Sequence, residues 1–165
     1  MKSRRLAPIA LAAAVLFGTT GCSLIAPQAT LIPYSPAEGV MAHTGDVEVR
    51  NAVLVSEDGV DGNLLAAFVN NGESAQTVTI EVSGSDTQSL RVPAGTAVSL
   101  GADWFDDAPV GESPFLAGDP ILFEGIDTIP GATIEVYFQS GDGEGALVEV
   151  PILTGAIEYL EPFVP

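Results

Sequence analysis

Apolar and polar residues alternate along much of the chain, and this two-residue period predicts β-strands. In "DVEVRNAVLV", Val47 and Val49 fall on one face of an extended segment, and Glu48 and Arg50 fall on the other. The segments "QTVTIEV", "ATIEVYF" and "ALVEVPIL" repeat the pattern. Their predicted core residues are Val78, Ile80, Val82, Ile134, Val136, Phe138, Val148, Val150 and Ile152.

Other segments indicate strands in a different way. The run "LLAAFVNN" is apolar without alternation, which is typical of a strand buried on both faces. "SLRVPAG" and "TAVSLG" predict a strand pair around a Pro-Ala-Gly turn, and "PILFEGI" is short and apolar. The acidic turn "SGDGEG" predicts a hairpin between the last two strands. Seven or eight short strands without helical periodicity predict an all-β, immunoglobulin-like sandwich of mainly antiparallel strands over residues 46–153.

Two segments fall outside this pattern. Residues 102–119 are too many for a simple hairpin loop and contain the adjacent aromatic residues Trp104 and Phe105. These rings are either an exposed anchor in a candidate interaction loop or a plug for the open end of the sandwich. The tail, residues 154–165, is a threonine followed by "GAIEYLEPFVP". It is apolar and proline-bounded, and it either packs across the sandwich or stays partly exposed.

The N-terminus has the features of an export signal. Lys2, Arg4 and Arg5 precede an apolar run over residues 6–17, and small residues follow it. The run is shorter than the roughly 20 residues that a transmembrane helix needs. The sequence therefore predicts a signal peptide over residues 1–21.

The single cysteine, Cys22, directly follows this segment, and Gly21 precedes it. The arrangement resembles the bacterial lipobox, in which a lipidated cysteine becomes the first mature residue. Residues 22–45, with three prolines, are then expected to be a tether between the membrane lipid and the domain. The alternative is a secreted protein with a free thiol. The lipobox predicts a lipid-anchored protein on the extracytoplasmic side of the cell membrane.

Charge narrows the classes of partner. Residues 1–21 hold three of the five basic residues and none of the 22 acids, so residues 22–165 carry 2 − 22 = −20 charges. Such a chain repels phosphate backbones, which argues against nucleic acid as a partner. No Ser-His-Asp, Cys-His or nucleotide-loop pattern is found. We therefore expect a protein that is not an enzyme and needs no cofactor.

Three places offer weak metal-ligand candidates. Met41 and His43 are spaced i, i+2 and would point the same way in an extended segment, as copper ligands could. Two ligands in a tether make a poor site, so an ordinary linker is favoured. The carboxylate-rich segments 57–63 and 141–145 have the composition of calcium loops, but Asp, Asn and Gly also form hairpin turns. Turns are favoured there.

The block "LAGDPILFEGIDTIPGATIEVYFQSGDGEGALVEVPI" resembles the C-terminal half of the PCuAC periplasmic copper chaperones. "LLAAFVNNGES" and "SLRVPAGTAVSLG" resemble segments of that family's N-terminal half more loosely. The resemblance covers residues 46–153 and implies a cupredoxin-like sandwich.

The copper ligands of that family are missing from this chain. The resemblance places its His-x-Met motif on Pro120-Ile121-Leu122, and its other His and Met have no counterpart between Ser83 and Arg91. Proline and leucine cannot replace the soft ligands that copper(I) requires. The chain thus resembles a lipid-anchored actinobacterial relative without the copper site. We expect a cell-envelope lipoprotein that acts as a binding or structural interaction module, with an envelope protein as an unnamed partner. The alternative is metal handling, of copper or calcium.

Overall fold

A computed structural model of the protein describes residues 37–101 and 115–165. Across these residues no helix is long and apolar enough to cross a membrane. Ten strands and one 3-10 helix, Glu158–Phe163, account for most of their regular structure. The strands are β1 Val40–Thr44, β2 Val47–Val55, β3 Gly62–Asn70, β4 Gln76–Val82, β5 Gln88–Val92, β6 Ala97–Leu100, β7 Phe115–Gly118, β8 Ile121–Phe123, β9 Thr133–Ser140 and β10 Ala146–Leu153.

The strands form two hydrogen-bonded layers. In the back sheet the order is β5-β4-β9-β10, and all neighbours are antiparallel. In the front sheet β1 and β3 flank β2, β6 and β8 pair with β3, and β7 pairs with β6. The end of β10 joins the layers through a short parallel pairing with β2, between Ile152 and Leu54. This arrangement confirms the predicted all-β sandwich.

The main core lies between the two sheets. Phe68 of the front sheet and Phe138 of the back sheet meet edge to face, with ring centroids 6.1 Å apart. Nearly all of the residues predicted from the alternation to face inward are buried, and Val148 is half-buried against the core. Each buried Val, Ile or Phe side chain contributes about 1.5–3 kcal/mol relative to full exposure. The face that each of these strands turns toward the core therefore follows directly from the apolar pattern.

Strand β3 is covered on both faces, as its unbroken apolar run predicts. Leu64 and Phe68 enter the main core. Leu65 points the other way, into a second apolar cluster with Val53, Val55 and Leu160. The residue that covers this outer face, Leu160, comes from the C-terminal 3-10 helix. The predicted tail, residues 154–165, thus packs on the front sheet.

Strand β1 lies inside the segment that the sequence analysis assigned to the tether. It pairs antiparallel with β2, so the described sandwich starts at Val40 rather than at residue 46. Ala42 and Thr44 are buried, and the Thr44 hydroxyl accepts a hydrogen bond from the Ser140 amide at 2.8 Å. Only two side chains of this short strand are fully buried, which is too few to give a recognisable alternation of apolar and polar residues in the sequence. Backbone pairing with a neighbouring strand is what makes it a strand.

The predicted strand pair around Pro-Ala-Gly is wrong. Strand β5 pairs with β4 in the back sheet, whereas β6 pairs with β3 in the front sheet. The turn therefore carries the chain from one layer to the other. The turn, with Gly95 at φ 62°, could serve a hairpin or a crossing between layers equally well. The partner of β5 is the preceding strand, β4, whereas the partner of β6 is β3, which is more distant in sequence.

Part of the irregular stretch 102–119 is also a strand. Phe115–Gly118 forms β7, which pairs in parallel with β6, for example Leu116 with Val98. A parallel neighbour cannot be reached through a tight hairpin and needs a longer connection. The parallel pairing of β6 with β7 therefore explains why the stretch is longer than a hairpin loop.

Strand β2 contains a β-bulge that changes which residues face the core. The register with β3 shifts between Arg50 and Val53, and Asn51 adopts a positive φ of 50°. Before the bulge Val49 faces the core, and after it Ala52 does. Val53 is consequently turned to the outer face of the front sheet.

Candidate functional site

Several predicted sites lie outside the described residues. These are the lipidation site Cys22 with its signal and most of its tether, and the Trp104–Phe105 pair of the candidate interaction loop. Both stay predictions.

Met41 and His43 lie on β1 and not in a linker. They alternate with the buried residues Ala42 and Thr44, so both occupy the outward face of the strand, as their spacing predicts. His43 stands opposite Glu48 in the β1–β2 register. Within residues 37–101 and 115–165, no group of three or more His, Cys, Asp or Glu side chains could hold a metal ion.

The two places that the resemblance aligns with copper ligands come together in space. Leu122 and Glu124 line a polar cavity of about 220 Å³, together with Gly84, Ser85, Asp86 and Gln88. These side chains present oxygen, amide and hydrocarbon groups, and none offers sulfur or imidazole. Soft-metal chemistry therefore has no ligand set in this cavity.

The carboxylate-rich segment 57–63 forms a turn over residues 57–61 and then enters β3 at Gly62. Asp58 Oδ1 accepts from the Val60 amide at 2.9 Å, and Asp61 Oδ1 accepts from the Gly125 amide at 3.1 Å. The Ser56 hydroxyl accepts from the Gly59 amide at 2.9 Å. Segment 141–145 lies in the β9–β10 hairpin, where Gly141 has φ 52°. Both segments have the hydrogen bonding and backbone angles of turns.

An apolar cleft that the sequence analysis did not predict is larger than the polar cavity. It has a volume of about 430 Å³ and lies between the outer face of the front sheet and the C-terminal 3-10 helix. Strands β2, β3 and β6 form its floor, through Val53, Leu65 and Leu100. Leu160 and Phe163 form its wall. The lining is therefore almost entirely hydrocarbon.

Specific contacts hold the wall of the cleft in place. Asn63 Nδ2 donates a hydrogen bond to the Phe163 carbonyl oxygen at 3.0 Å, which ties the end of the helix to β3. Leu160 is buried against the floor with 3% of its surface exposed. Gly101 lets the segments approach closely, since a Cβ there would lie 2.5 Å from Leu65 Cδ2 and 3.2 Å from Phe163 Cε1. Gly101 also has φ 72°, a conformation that favours glycine.

The lining also includes polar side chains. Glu38, Asn51 and Tyr159 are exposed at the edge of the cleft, and Ser99 stands opposite Ala67 on its floor. Asn51 Oδ1 accepts a hydrogen bond from the Gly39 amide at 2.8 Å, so the bulge also positions the chain that carries Glu38. Partial burial, and then the neighbouring Glu38 carboxylate, raise the pKa of the Tyr159 phenol. The phenol is therefore an uncharged group at neutral pH.

Sequence patterns contained two signals for this site. The run "AVLV" after Asn51 is apolar on both faces, and the tail "AIEYLEPFVP" is rich in apolar residues although it follows the last predicted strand. Neither signal predicts that the tail packs on β2 and β3, because Val53 and Leu160 are far apart along the chain. The bulge also places Val53 on the outer face of β2, whereas the two-residue alternation predicts that it faces the core.

Comparisons with known proteins concern the fold. No protein-family model matches the chain, and no curated protein matches it. Among solved structures, the copper-bound PCuAC domain from PmoF2 is similar, with a TM-score of 0.47 and 11% identity over 70% of this chain and 98% of that domain. The apo PmoF2 PCuAC domain is similar with a TM-score of 0.48 and 10% identity, over 71% and 97% of the two chains. At these identities no ligand residue and no activity is transferred.

Proposed function

We propose that this protein is a non-catalytic binding module, held at the extracytoplasmic face of the cell membrane by lipid on Cys22. Its binding site is the apolar cleft between the front sheet and the C-terminal 3-10 helix. The observation that supports this proposal is a concave hydrocarbon surface with a few polar groups at its edge. A volume of about 430 Å³ falls within the range of roughly 300–1,000 Å³ that small-molecule sites occupy.

Two features of the cleft favour a ligand over simple packing. Burial of an apolar ligand is worth about 25 cal/mol per Å² of surface removed from water, and the walls supply such a surface. The backbone beside it is held in an uncommon conformation, since Asn51 has a positive φ. Such backbone conformations are often found at binding sites.

The direct test fills the cleft. Ser35–Pro165 forms one compact unit and contains both apolar clusters, so this fragment is suitable for binding measurements. Ala67, half-buried on the cleft floor, is changed to Phe, and Thr79→Phe on the outer face of the back sheet is the matched control. Binding is followed by the fluorescence of the neutral apolar probe N-phenyl-1-naphthylamine.

We expect Ala67→Phe to weaken probe binding at least tenfold and Thr79→Phe to leave it unchanged. Equal binding by both variants, or no binding by the unmodified fragment, would contradict the proposal. The metal alternative is tested on the same fragment by thermal melts with copper(I) and with calcium, since a ligand of the folded state raises the melting temperature. A rise with copper(I) that Met41→Ala with His43→Ala removes would favour metal handling instead.

A further inference from the structure

We infer that the apolar cleft selects a small molecule with an apolar body and a cationic head group, and discriminates against an anionic one. This inference rests on the proposed function, because it specifies the ligand of the same cleft. It comes from the charges around the cleft opening.

The charge at the opening is negative. Glu38 lines the cleft, and among the described residues no lysine, arginine or histidine does. Of the two arginines of the domain, Arg50 stands opposite Ala67 in the β2–β3 register, but its guanidinium is paired with Glu48, with Nε donating to Oε2 at 3.0 Å. Arg91 is on β5, at the edge of the back sheet. A cationic head group would find a carboxylate at the opening, whereas an anionic head group would find only a guanidinium that a carboxylate already holds.

Tyr159 adds a second feature that suits a cation. Its side chain lines the cleft beside Glu38, and 49% of its surface is exposed. The face of an aromatic ring attracts a cation placed within about 6 Å of its centre. Because Glu38 and burial favour the protonated phenol, the ring adds no charge of its own at neutral pH.

The field of the whole domain acts in the same direction. Residues 22–165 carry a formal charge of −20, from two arginines and 22 acids. A field of this sign concentrates cations near the surface and repels anions, at a strength that falls with added salt. The general field does not by itself select the cleft, so the test must separate it from the local effect of Glu38.

The experiment uses three amphiphiles with the same ten-carbon chain and different heads: decyltrimethylammonium, decyl maltoside and decyl sulfate. Each displaces N-phenyl-1-naphthylamine from the Ser35–Pro165 fragment below its micelle concentration, at physiological ionic strength. We expect the ammonium compound to bind most tightly and the sulfate least tightly. Glu38→Gln should weaken binding of the ammonium compound about three- to fivefold, the upper part of the range for an exposed ion pair, and change binding of the maltoside by less than twofold. Glu81→Gln, an exposed acid on β4, is the matched control and should change neither.

The outcomes separate the inference from the proposed function. If the sulfate binds as tightly as the ammonium compound, or if Glu38→Gln and Glu81→Gln have the same effect, the inference is wrong. The cleft remains a binding site in that case, provided that Ala67→Phe abolishes binding of the maltoside. If ammonium binding survives Ala67→Phe, it is adsorption to the acidic surface, and the inference is again wrong. If none of the three displaces a probe that the unmodified fragment binds, the inference is wrong, whereas a fragment that binds no probe contradicts the proposed function itself.

Discussion

Asn70 ties together three parts of the sandwich, and its removal tests this account of the fold. It is a buried side chain at the end of β3, with 1% of its surface exposed. Its Nδ2 donates to the carbonyl oxygens of Ser74 at 2.8 Å and of Val92 and Pro93 at 3.1 Å. Its Oδ1 accepts from the Gly72 amide at 2.9 Å. The side chain thus holds the β3–β4 turn and the connection between the sheets.

The expected cost of Asn70→Leu follows from these contacts. An amide nitrogen carries two hydrogens, so three acceptors share two donors, and the oxygen adds a third hydrogen bond. Leucine has the same number of side-chain heavy atoms and a similar branched shape, but it supplies none of these hydrogen bonds. At about 1 kcal/mol net per hydrogen bond, the loss is about 3 kcal/mol. A domain of this size has a free energy of unfolding of roughly 5–15 kcal/mol, so the loss is a large share of it.

The measurement is urea unfolding of the Ser35–Pro165 fragment, followed by circular dichroism. Asn70→Leu should lower the urea midpoint by the equivalent of about 3 kcal/mol, with an unchanged slope m if the fold is kept. Asn71→Leu, at the neighbouring exposed position, is the matched control and should stay within about 0.5 kcal/mol. If Asn70→Leu costs less than about 1 kcal/mol, these hydrogen bonds do not hold the two sheets together as described.

Two further predictions concern the anchor and an ion pair. Cys22→Ala should move the protein from the membrane fraction to the medium or leave its signal uncleaved, and a wild-type protein that takes up no labelled fatty acid would disprove the anchor. The hydrogen bond from Arg50 lowers the pKa of Glu48, so the pair stabilises the fold above the usual pKa of a glutamate, and this contribution is lost as pH falls through the lowered value. Arg50→Gln should therefore raise the pKa of Glu48 in an NMR titration of its side-chain carboxyl, and an unchanged pKa would show that the pair does not form in solution.

Local sequence patterns predict the fold class and the inner faces of most strands. Ile80 and Val136 were identified as core residues from a period of two, and the structure buries both. This succeeds because strand pleating is a local property. Each side chain points opposite to its neighbour whatever the strand pairs with. The β9–β10 hairpin was predicted for the same reason, since its turn and both strands are contiguous.

The strand partners and the cleft, in contrast, depend on contacts between segments that local patterns do not connect. The Pro-Ala-Gly turn has the same local chemistry in a hairpin as in a crossing between sheets, and Asn70 helps to hold the crossing from another part of the chain. After the bulge at Asn51, the side chains of β2 that would have faced the core face outward instead. Val53 is thereby turned toward Leu160. Both features depend on backbone pairing and packing between segments distant along the chain. A local period carries no information about such contacts, because they are selected by the total burial of the folded domain.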